Sequence, residues 1–203
     1  MKISEETRSI LKNFATINSG IKVGAGNQLQ TISNMKNILA TANVPETFGQ
    51  EFSIYNLVEF LGAVSLLDNP DFNFNDSSLS ISDTDTAMTY FYASEGMVTS
   101  PDKMITMPDA EIKIDLSSTL LNELQKAASV LGVNDLILQS DGTNIKLVVT
   151  DKKNTTSNTF SRIVGEGNGV SFTMNFKIEN LKILDGNYEV FVSSKGISNF
   201  KNK

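Results

Sequence analysis

The chain of 203 residues contains no histidine and no cysteine, which limits the chemistry that its side chains can perform. Without an imidazole or a thiol it cannot by itself build a Ser-His-Asp triad, a cysteine nucleophile or a zinc finger. Carboxylates remain, and the 23 Asp and Glu residues would suit a hard divalent metal. The densest acidic stretch, Asp68 to Asp76, lacks the central glycine and closing glutamate of an EF-hand loop. We therefore expect a turn there and predict no catalytic residue and no metal site.

The glycine-rich stretch "GIKVGAG", residues 20–26, is the second candidate for chemistry, because such loops can bind phosphates. A Walker loop needs a Gly-Lys-Ser/Thr sequence that opens a helix, and a dinucleotide fingerprint needs G-x-G-x-x-G between a strand and a helix. This stretch has neither pattern. It is typical of a helix end followed by a turn between strands, and we predict no nucleotide site and no cofactor.

Basic side chains on two amphipathic helices are the third candidate. Residues 5–16 form an apolar stripe after a Ser4 cap, and Arg8 and Lys12, four residues apart, lie roughly opposite that stripe. Residues 117–131 repeat the pattern, with Lys126 away from the apolar side. Such positions suit contacts with phosphates. From spacing alone, they are more typical of the solvated face of an amphipathic helix.

These helices belong to a repeated unit of strand, helix and three strands. The sequence "FSIYNL" at 52–57 returns as "FKIENL" at 176–181, with a shortened "IKIDL" at 112–116. Each unit places a helix-capping residue after its first strand: Ser4, Asn56, Asp115 and Asn180. The fourth copy stops one strand early, so we expect a truncated chain or an unusually short relative.

Four units pair into two similar α+β domains, 1–93 and 111–203, joined by a connector at 94–110. Alternating apolar residues predict half-buried antiparallel strands, and the helices should cover one face of each sheet. The second helix, Leu57 to Leu67, is apolar almost all round and contains no base. We expect it to be heavily buried and to contribute little to nucleic-acid binding.

Three segments carry a resemblance to a known family: "LKNFATINSGI" (11–21), "YNLVEFLGAVSL" (55–66) and "NLKILDGNYEVFV" (180–192). They resemble the sliding clamps, or DNA polymerase processivity factors, of T-even-type bacteriophages. The resemblance implies the DNA-clamp fold, a homotrimeric ring around duplex DNA with helices lining the hole, and no enzymatic activity. It also implies a replicative DNA polymerase and an ATP-dependent clamp loader as partners, and clamps of this type can serve late transcription.

The resemblance also assigns roles to residues. It favours DNA-facing roles for Arg8, Lys12, Lys126 and Lys182, the last of these in the expected fourth helix. Partners of such clamps insert short peptides into an apolar pocket, for which the connector offers Met97, Met104, Ile105 and Met107. The alternative is that these four side chains only pack the connector against the sheets.

Charge and the N-terminus bear on location and on competing functions. The formal net charge of -6 argues against a uniformly basic nucleic-acid binder but permits a few clustered cations. The opening "MKISEETRSI" has no continuous apolar region, so we expect an intracellular protein with no membrane partner, in the cytoplasm of an infected bacterial host if the resemblance holds. The alternatives are a β-rich structural virion protein and, less favoured, a metal-dependent hydrolase. Regularly recurring capped helices favour the clamp.

Overall fold

The chain folds as two compact units. A computed structural model describes residues 1–101 and 105–203 and divides the chain into Met1–Met104, here unit 1, and Ile105–Lys203, here unit 2. The boundary lies inside the segment 94–110 that the sequence analysis treats as a connector. The exact domain bounds stay a prediction.

Unit 1 contains two helices and seven strands among its described residues, in the order that the repeat predicts except that the expected first strand at 2–4 does not form. The elements are α1 (Glu5–Ile17), β1 (Ile21–Val23), β2 (Gly26–Ile32), β3 (Leu39–Phe48), β4 (Phe52–Ile54), α2 (Leu57–Val64), β5 (Asp71–Phe74), β6 (Ser78–Ser82) and β7 (Ala87–Phe91). Strand β1 pairs with β4, β2 pairs with β3, and a third sheet has the order β5-β6-β7, all antiparallel. Met1 and Phe72 exchange two backbone hydrogen bonds of 2.9 and 2.7 Å, so the N-terminus lies alongside β5.

Unit 2 repeats this plan with two differences: it begins with a strand before its first helix, and no second α-helix forms within residues 105–203. Its elements are β8 (Ile112–Leu116), α3 (Ser118–Leu131), β9 (Asp135–Asp141), β10 (Asn144–Thr150), β11 (Phe160–Glu166), β12 (Ser171–Lys177), a 3-10 turn (Ile178–Asn180), β13 (Tyr188–Ser193) and β14 (Ile197–Asn202). The two antiparallel sheets have the orders β11-β10-β9-β12 and β14-β13-β8. The predicted fourth helix is wrong, because only a 3-10 turn follows β12.

Two of the four predicted helix caps are correct. The side chains of Ser4 and Asn56 accept hydrogen bonds from the first turns of α1 and α2. Asp115 is not a cap: it lies in β8, and Ser117 caps α3 instead. Asn180 is not a cap either, because it ends the 3-10 turn. Helices α1, α2 and α3 have 13, 8 and 14 residues, and within the described ranges no helix is long and apolar enough to span a membrane.

Each unit buries its own core between helix and sheet. In unit 2, Leu121, Leu124 and Ala128 of α3 pack against alternate residues of β8, β9 and β10. In unit 1, α1 and α2 bury apolar residues three or four positions apart, as an amphipathic helix requires. The opposite faces of these helices remain free for contacts outside the core.

Candidate nucleic-acid interface

Helix α1 is held at its first turn by a residue distant in sequence. Ser4 Oγ accepts a hydrogen bond of 3.2 Å from the amide of Thr7, which begins the helix. The carboxylate of Glu46, on β3, accepts hydrogen bonds from the amide of Ser4 and from the hydroxyl of Thr7. Burial alone would raise the pKa of Glu46, but the hydrogen bonds from Thr7 and Ser4 outweigh burial and lower it. The orientation of α1 is therefore fixed by β3 as well as by its apolar face.

The exposed face of α1 carries both predicted DNA-facing residues, in different environments. Lys12 is exposed, and no ion pair among the described residues involves it. Arg8 is mostly covered: its side chain is 21% exposed, and its Nη1 lies 3.0 Å from Oε1 of Glu5, whose side chain is 84% exposed. Lys12 is thus available to a phosphate, whereas Arg8 already has a carboxylate partner. The DNA-facing roles of both stay predictions.

Helix α3 has one exposed lysine, and its other exposed side chains are uncharged. It begins at the Ser117 cap and ends at Gly132, whose φ of 66° is the left-handed conformation that glycine adopts readily. Lys126 lies on the exposed side, opposite the buried Leu124 and Ala128. Within residues 105–203, no ion pair involves Lys126. This side chain can meet a phosphate without first releasing a carboxylate.

Lys182 lies in a different setting from the one predicted. It follows the 3-10 turn in an irregular segment, partly buried, and so does not lie on a helix. The segment between β12 and β13 contains Asp185 and Gly186, and Gly186 has a φ of 155°. This turn leaves too few residues for a stable helix, since nucleation costs more than a short helix returns. A DNA-facing role for Lys182 is untested.

Helix α2 also differs from prediction. Leu57, Phe60 and Val64 are buried, but Val58 is exposed, as is Leu66 just beyond the helix end. The expectation that α2 is heavily buried is therefore wrong. Its exposed side contains Glu59 and no base, so α2 adds a largely apolar stripe without a cation beside α1, against which it packs.

The predicted peptide-pocket residues fall in both units. Met97 is exposed in unit 1, Ile105 is exposed and Met107 partly buried in unit 2, and Met104 lies outside the described residues. The beginning of the connector is anchored to unit 1, because Nδ2 of the buried Asn18 donates hydrogen bonds of 2.9 Å to Ile32 O and 3.0 Å to Thr99 O. The role of the four residues in peptide binding stays a prediction.

Among the described residues, three strands at sheet edges expose large apolar side chains, and Ile197 on β14, at 40%, is the least exposed of these. Strand β7 ends the β5-β6-β7 sheet, and Phe91 on it is 72% exposed; β11 ends the β11-β10-β9-β12 sheet, and Ile163 on it is 64% exposed. The edge strand β3 contains Pro45, which cannot donate a backbone hydrogen bond. Strands β7 and β11 are the edges that expose the largest fraction of an apolar side chain, which suits pairing with another chain.

Sequence reasoning missed several of these features. Glu46 acts on α1 from 42 residues away, and no local pattern reveals such a contact. Glu5, three residues before Arg8, follows helical spacing and could have been noticed. In the part of the chain that the structure describes, no group of three or more Asp or Glu residues could hold a metal ion. The described surface features that suit binding are the exposed lysines of α1 and α3 and the edge strands β7 and β11.

Solved structures define the class of fold. The PCNA of A. fulgidus, solved with the C-terminal region of FEN-1 bound, matches with a TM-score of 0.68 at 10% identity, over 95% of this chain and 86% of that one. The Helicobacter pylori beta clamp bound to a DNA ligase peptide matches with a TM-score of 0.62 at 15% identity, over 100% of this chain and 63% of that one. The fold is that of the DNA clamps.

Curated relatives identify the family within that class. The sliding clamp of Vibrio phage KVP40 is 34% identical over 207 residues, which cover 98% of this chain and 94% of the relative. The sliding clamp of Enterobacteria phage T4 is 30% identical over 207 residues, covering 97% of this chain and 89% of the relative. No protein-family model matches the chain. The chain belongs to the sliding clamps of T-even-type bacteriophages, which confirms the resemblance found in the sequence.

Proposed function

We propose that three copies of this chain close into a ring around duplex DNA and tether the replicative DNA polymerase to it. As a member of the sliding-clamp family, the protein is a DNA polymerase processivity clamp. The proposal adds the number of subunits, the residues that meet the DNA, and the absence of any reaction catalysed by the ring itself. The observation that carries it is the exposed lysine on each of the two long helices, which has no ion pair among the described residues.

Ring closure would use the edge strands β7 and β11. Strand β7 belongs to unit 1 and β11 to unit 2, so pairing β7 of one copy with β11 of the next gives a head-to-tail contact. A head-to-tail contact forms a closed ring when the rotation between copies divides the circle. Burying Phe91 and Ile163 at such a contact would remove two exposed apolar side chains from water. The family supplies the expectation that three copies complete the circle.

Sparse cations suit a ring that must move along DNA. Contacts with phosphates position a protein without reading sequence, and they can be exchanged as the protein slides. Lys12 on α1 and Lys126 on α3 supply two such contacts in each chain. The net charge of -6 per chain disfavours DNA binding elsewhere on the surface. Topology, with little help from affinity, would then hold the ring on its duplex.

The ring would act by raising the local concentration of its partners. Tethering turns a weak bimolecular encounter between polymerase and DNA into an effectively intramolecular one, without new contacts at the reaction centre. Two structurally similar clamps have been solved with peptides of FEN-1 and of a DNA ligase. By analogy, we assign a peptide site to Met97, Met104, Ile105 and Met107. We also propose an ATP-dependent clamp loader and late-transcription factors as partners. The proposed location is the cytoplasm of the infected bacterium.

Loading the protein on a nicked circular duplex with its clamp loader and then linearising the circle tests the proposal directly. A ring that encircles DNA without gripping it should stay on the closed circle and run off the linear ends. Retention should return when the ends are blocked with bound protein. Retention on linear DNA with free ends would contradict sliding, and the mass in solution would show separately whether three chains assemble.

A further inference from the structure

The pair of Glu5 and Arg8 on α1 separates two basic residues that the sequence treats as equivalent. Glu5 Oε1 lies 3.0 Å from Arg8 Nη1, an i,i+3 contact across the first turn of the helix. Lys12, four residues beyond Arg8, has no such partner among the described residues. One helix face thus holds one available cation and one cation that is already neutralised.

A second partner can reach only some of the N–H donors of the Arg8 guanidinium. Its side chain is 21% exposed, and its Nε is buried without a hydrogen-bond partner among the described residues. An arginine binds a phosphate best through two parallel N–H groups. With Nε covered, the two parallel N–H groups must come from Nη1 and Nη2, so a phosphate that gains this geometry competes with Glu5 for Nη1.

The carboxylate of Glu5 can leave Arg8 easily. The Glu5 side chain is 84% exposed, so a displaced carboxylate enters water at little cost. An exposed carboxylate and a DNA phosphate oxygen offer the same chemistry to a guanidinium, an anionic acceptor within hydrogen-bond reach. The two anions therefore compete for one cation.

We propose that Glu5 is an internal competitor of DNA phosphates for Arg8, which makes Arg8 a latent and readily exchanged phosphate contact. This rests on the proposed function, in which the exposed face of α1 meets the duplex. When the ring moves and Arg8 leaves a phosphate, Glu5 takes its place, so the guanidinium always keeps an anionic partner. The barrier between neighbouring phosphates is thereby lowered. Glu5 sets how tightly α1 holds DNA, and Lys12 supplies the constant contact.

The test compares Glu5→Gln with Glu6→Gln, which removes the same charge one residue along and about 100° round the helix. Both variants lose one negative charge in the first helical turn, so their effects on the helix dipole match. Binding of the assembled protein to a fluorescent duplex of random sequence is measured by anisotropy across a range of KCl concentrations. We expect Glu5→Gln to bind several-fold more tightly than Glu6→Gln, with a salt slope steeper by roughly one for each phosphate gained.

The same pair of substitutions in an Arg8→Gln background isolates the competition. There Glu5→Gln and Glu6→Gln should change affinity equally, since no guanidinium remains to be released. Single-molecule tracking of loaded rings provides a second readout, and Glu5→Gln should slow diffusion along DNA relative to Glu6→Gln. Thermal unfolding checks that all variants remain folded.

Equal effects of the two substitutions in the presence of Arg8 would overturn the competition, as would an excess effect of Glu5→Gln that persists without Arg8. These outcomes leave the proposed function intact as long as wild-type rings load and run off linear ends. Failure of wild-type protein to load or to slide would overturn the proposed function, and the competition with it.

Discussion

Units 1 and 2 follow one plan but differ in how they complete it. Unit 1 has two α-helices, α1 and α2, whereas unit 2 has α3 and only a 3-10 turn where a second helix would lie. The hydrophobic repeat is the same in both, so the difference comes from the connecting segments. In unit 2 the turn at Asp185 and Gly186 follows closely after β12, and only a 3-10 turn forms there. In unit 1 the segment after Asn56 is long enough for the eight residues of α2. The strand pairing differs as well, with two-, two- and three-stranded sheets in unit 1 and a four- and a three-stranded sheet in unit 2.

The two units also differ in how α1 and α3, the helices proposed to face DNA, are anchored and charged. The first turn of α1 is held by Glu46 from β3, a partly buried carboxylate. The first turn of α3 is held by exposed groups: the hydroxyl of Ser118 donates to Asp185, and its amide donates to Asn187. An acidic residue neutralises Arg8 on α1. On α3, Glu123 pairs with Arg162 at 3.4 Å, and no ion pair among the described residues involves Lys126. Helix α1 is therefore the more firmly anchored of the two, and α3 presents an exposed lysine with no ion pair among the described residues.

The largest expected effect concerns the edges on which the two units would meet in neighbouring subunits. Phe91→Asp on β7 or Ile163→Asp on β11 should each abolish the trimer at micromolar concentration, because each places a charge in an apolar strand pairing. Sedimentation equilibrium or light scattering measures the mass. Met35→Asp, an equally apolar and exposed position at the tip of the β2–β3 hairpin, should leave the trimer intact. A trimer that survives both edge substitutions would rule out these strands as the interface.

Core truncation tests whether the two units are equivalent in stability. Leu11→Ala on α1 and Leu124→Ala on α3 remove comparable buried side chains, and each should cost about 2 to 5 kcal/mol of unfolding free energy. Urea titration with fluorescence or circular dichroism detection measures the loss. If the units unfold independently, each substitution should lower one transition and leave the other unchanged. A single shared transition would show that their unfolding is coupled.

The anchors of the two helices should differ in strength and in pH dependence. Glu46→Ala leaves the hydroxyl of the buried Thr7 and the amide of Ser4 without their partner, at a cost of about 1 to 3 kcal/mol. Asp185→Ala, at an exposed site, should cost less than half as much. Denaturant titrations of both variants at pH 7 make the comparison, and equal costs would contradict it.

The lowered pKa of Glu46 fixes the direction of the pH effect. Its folded pKa lies below the ordinary value of 4.5, so the charged form stabilises the fold. This contribution is complete above the unfolded pKa and is lost as the pH falls through the folded pKa. The stability difference between wild type and Glu46→Gln should therefore shrink as the pH is lowered from 7 towards 3. A difference that stays constant over this range would mean that the ionised carboxylate is not the stabilising form.

Charge reversal compares the basic faces of α1 and α3. Lys12→Glu and Lys126→Glu should each lower loading or processivity several-fold and reduce the salt slope of DNA binding by about one for each phosphate no longer bound. Their folding stability should change by less than about 0.5 kcal/mol, because both side chains are exposed. Lys195→Glu, in the β13–β14 turn, makes the same charge change on a hairpin and should leave processivity near wild type. Equal reductions in all three variants would point to net charge alone.

The smallest expected effect comes from giving α2 the cation that it lacks. Val58→Lys adds a positive charge to the exposed, largely apolar side of the helix and should tighten DNA binding by a few-fold while slowing diffusion along the duplex. Val58→Gln removes the same apolar side chain without adding charge and should leave both quantities nearly unchanged. Single-molecule tracking on stretched DNA measures the diffusion. An effect of Val58→Lys no larger than that of Val58→Gln would place α2 away from the DNA.

The sequence alone predicted the full order of elements in two of the four units, because local spacing of apolar residues records which face of each element is buried. It also predicted the Ser4 and Asn56 caps and the family. It failed at Asp115 and Asn180, where a correct local capping pattern competes with strand pairing and with a tight turn. Capping residues two positions apart cannot be separated without knowing where the strand ends.

Only the tertiary structure showed which basic residues are exposed and which are paired with a carboxylate. Spacing placed Arg8 and Lys12 on the same face of α1, but their different burial and the pairing of Arg8 with Glu5 depend on what packs around the helix. The hydrogen bond between Glu46 and Ser4 spans 42 residues and exists only because β3 lies against α1. Local sequence determines local conformation through dihedral preference and apolar periodicity. The pairing of charges across the fold is determined by packing, which no short stretch of sequence contains.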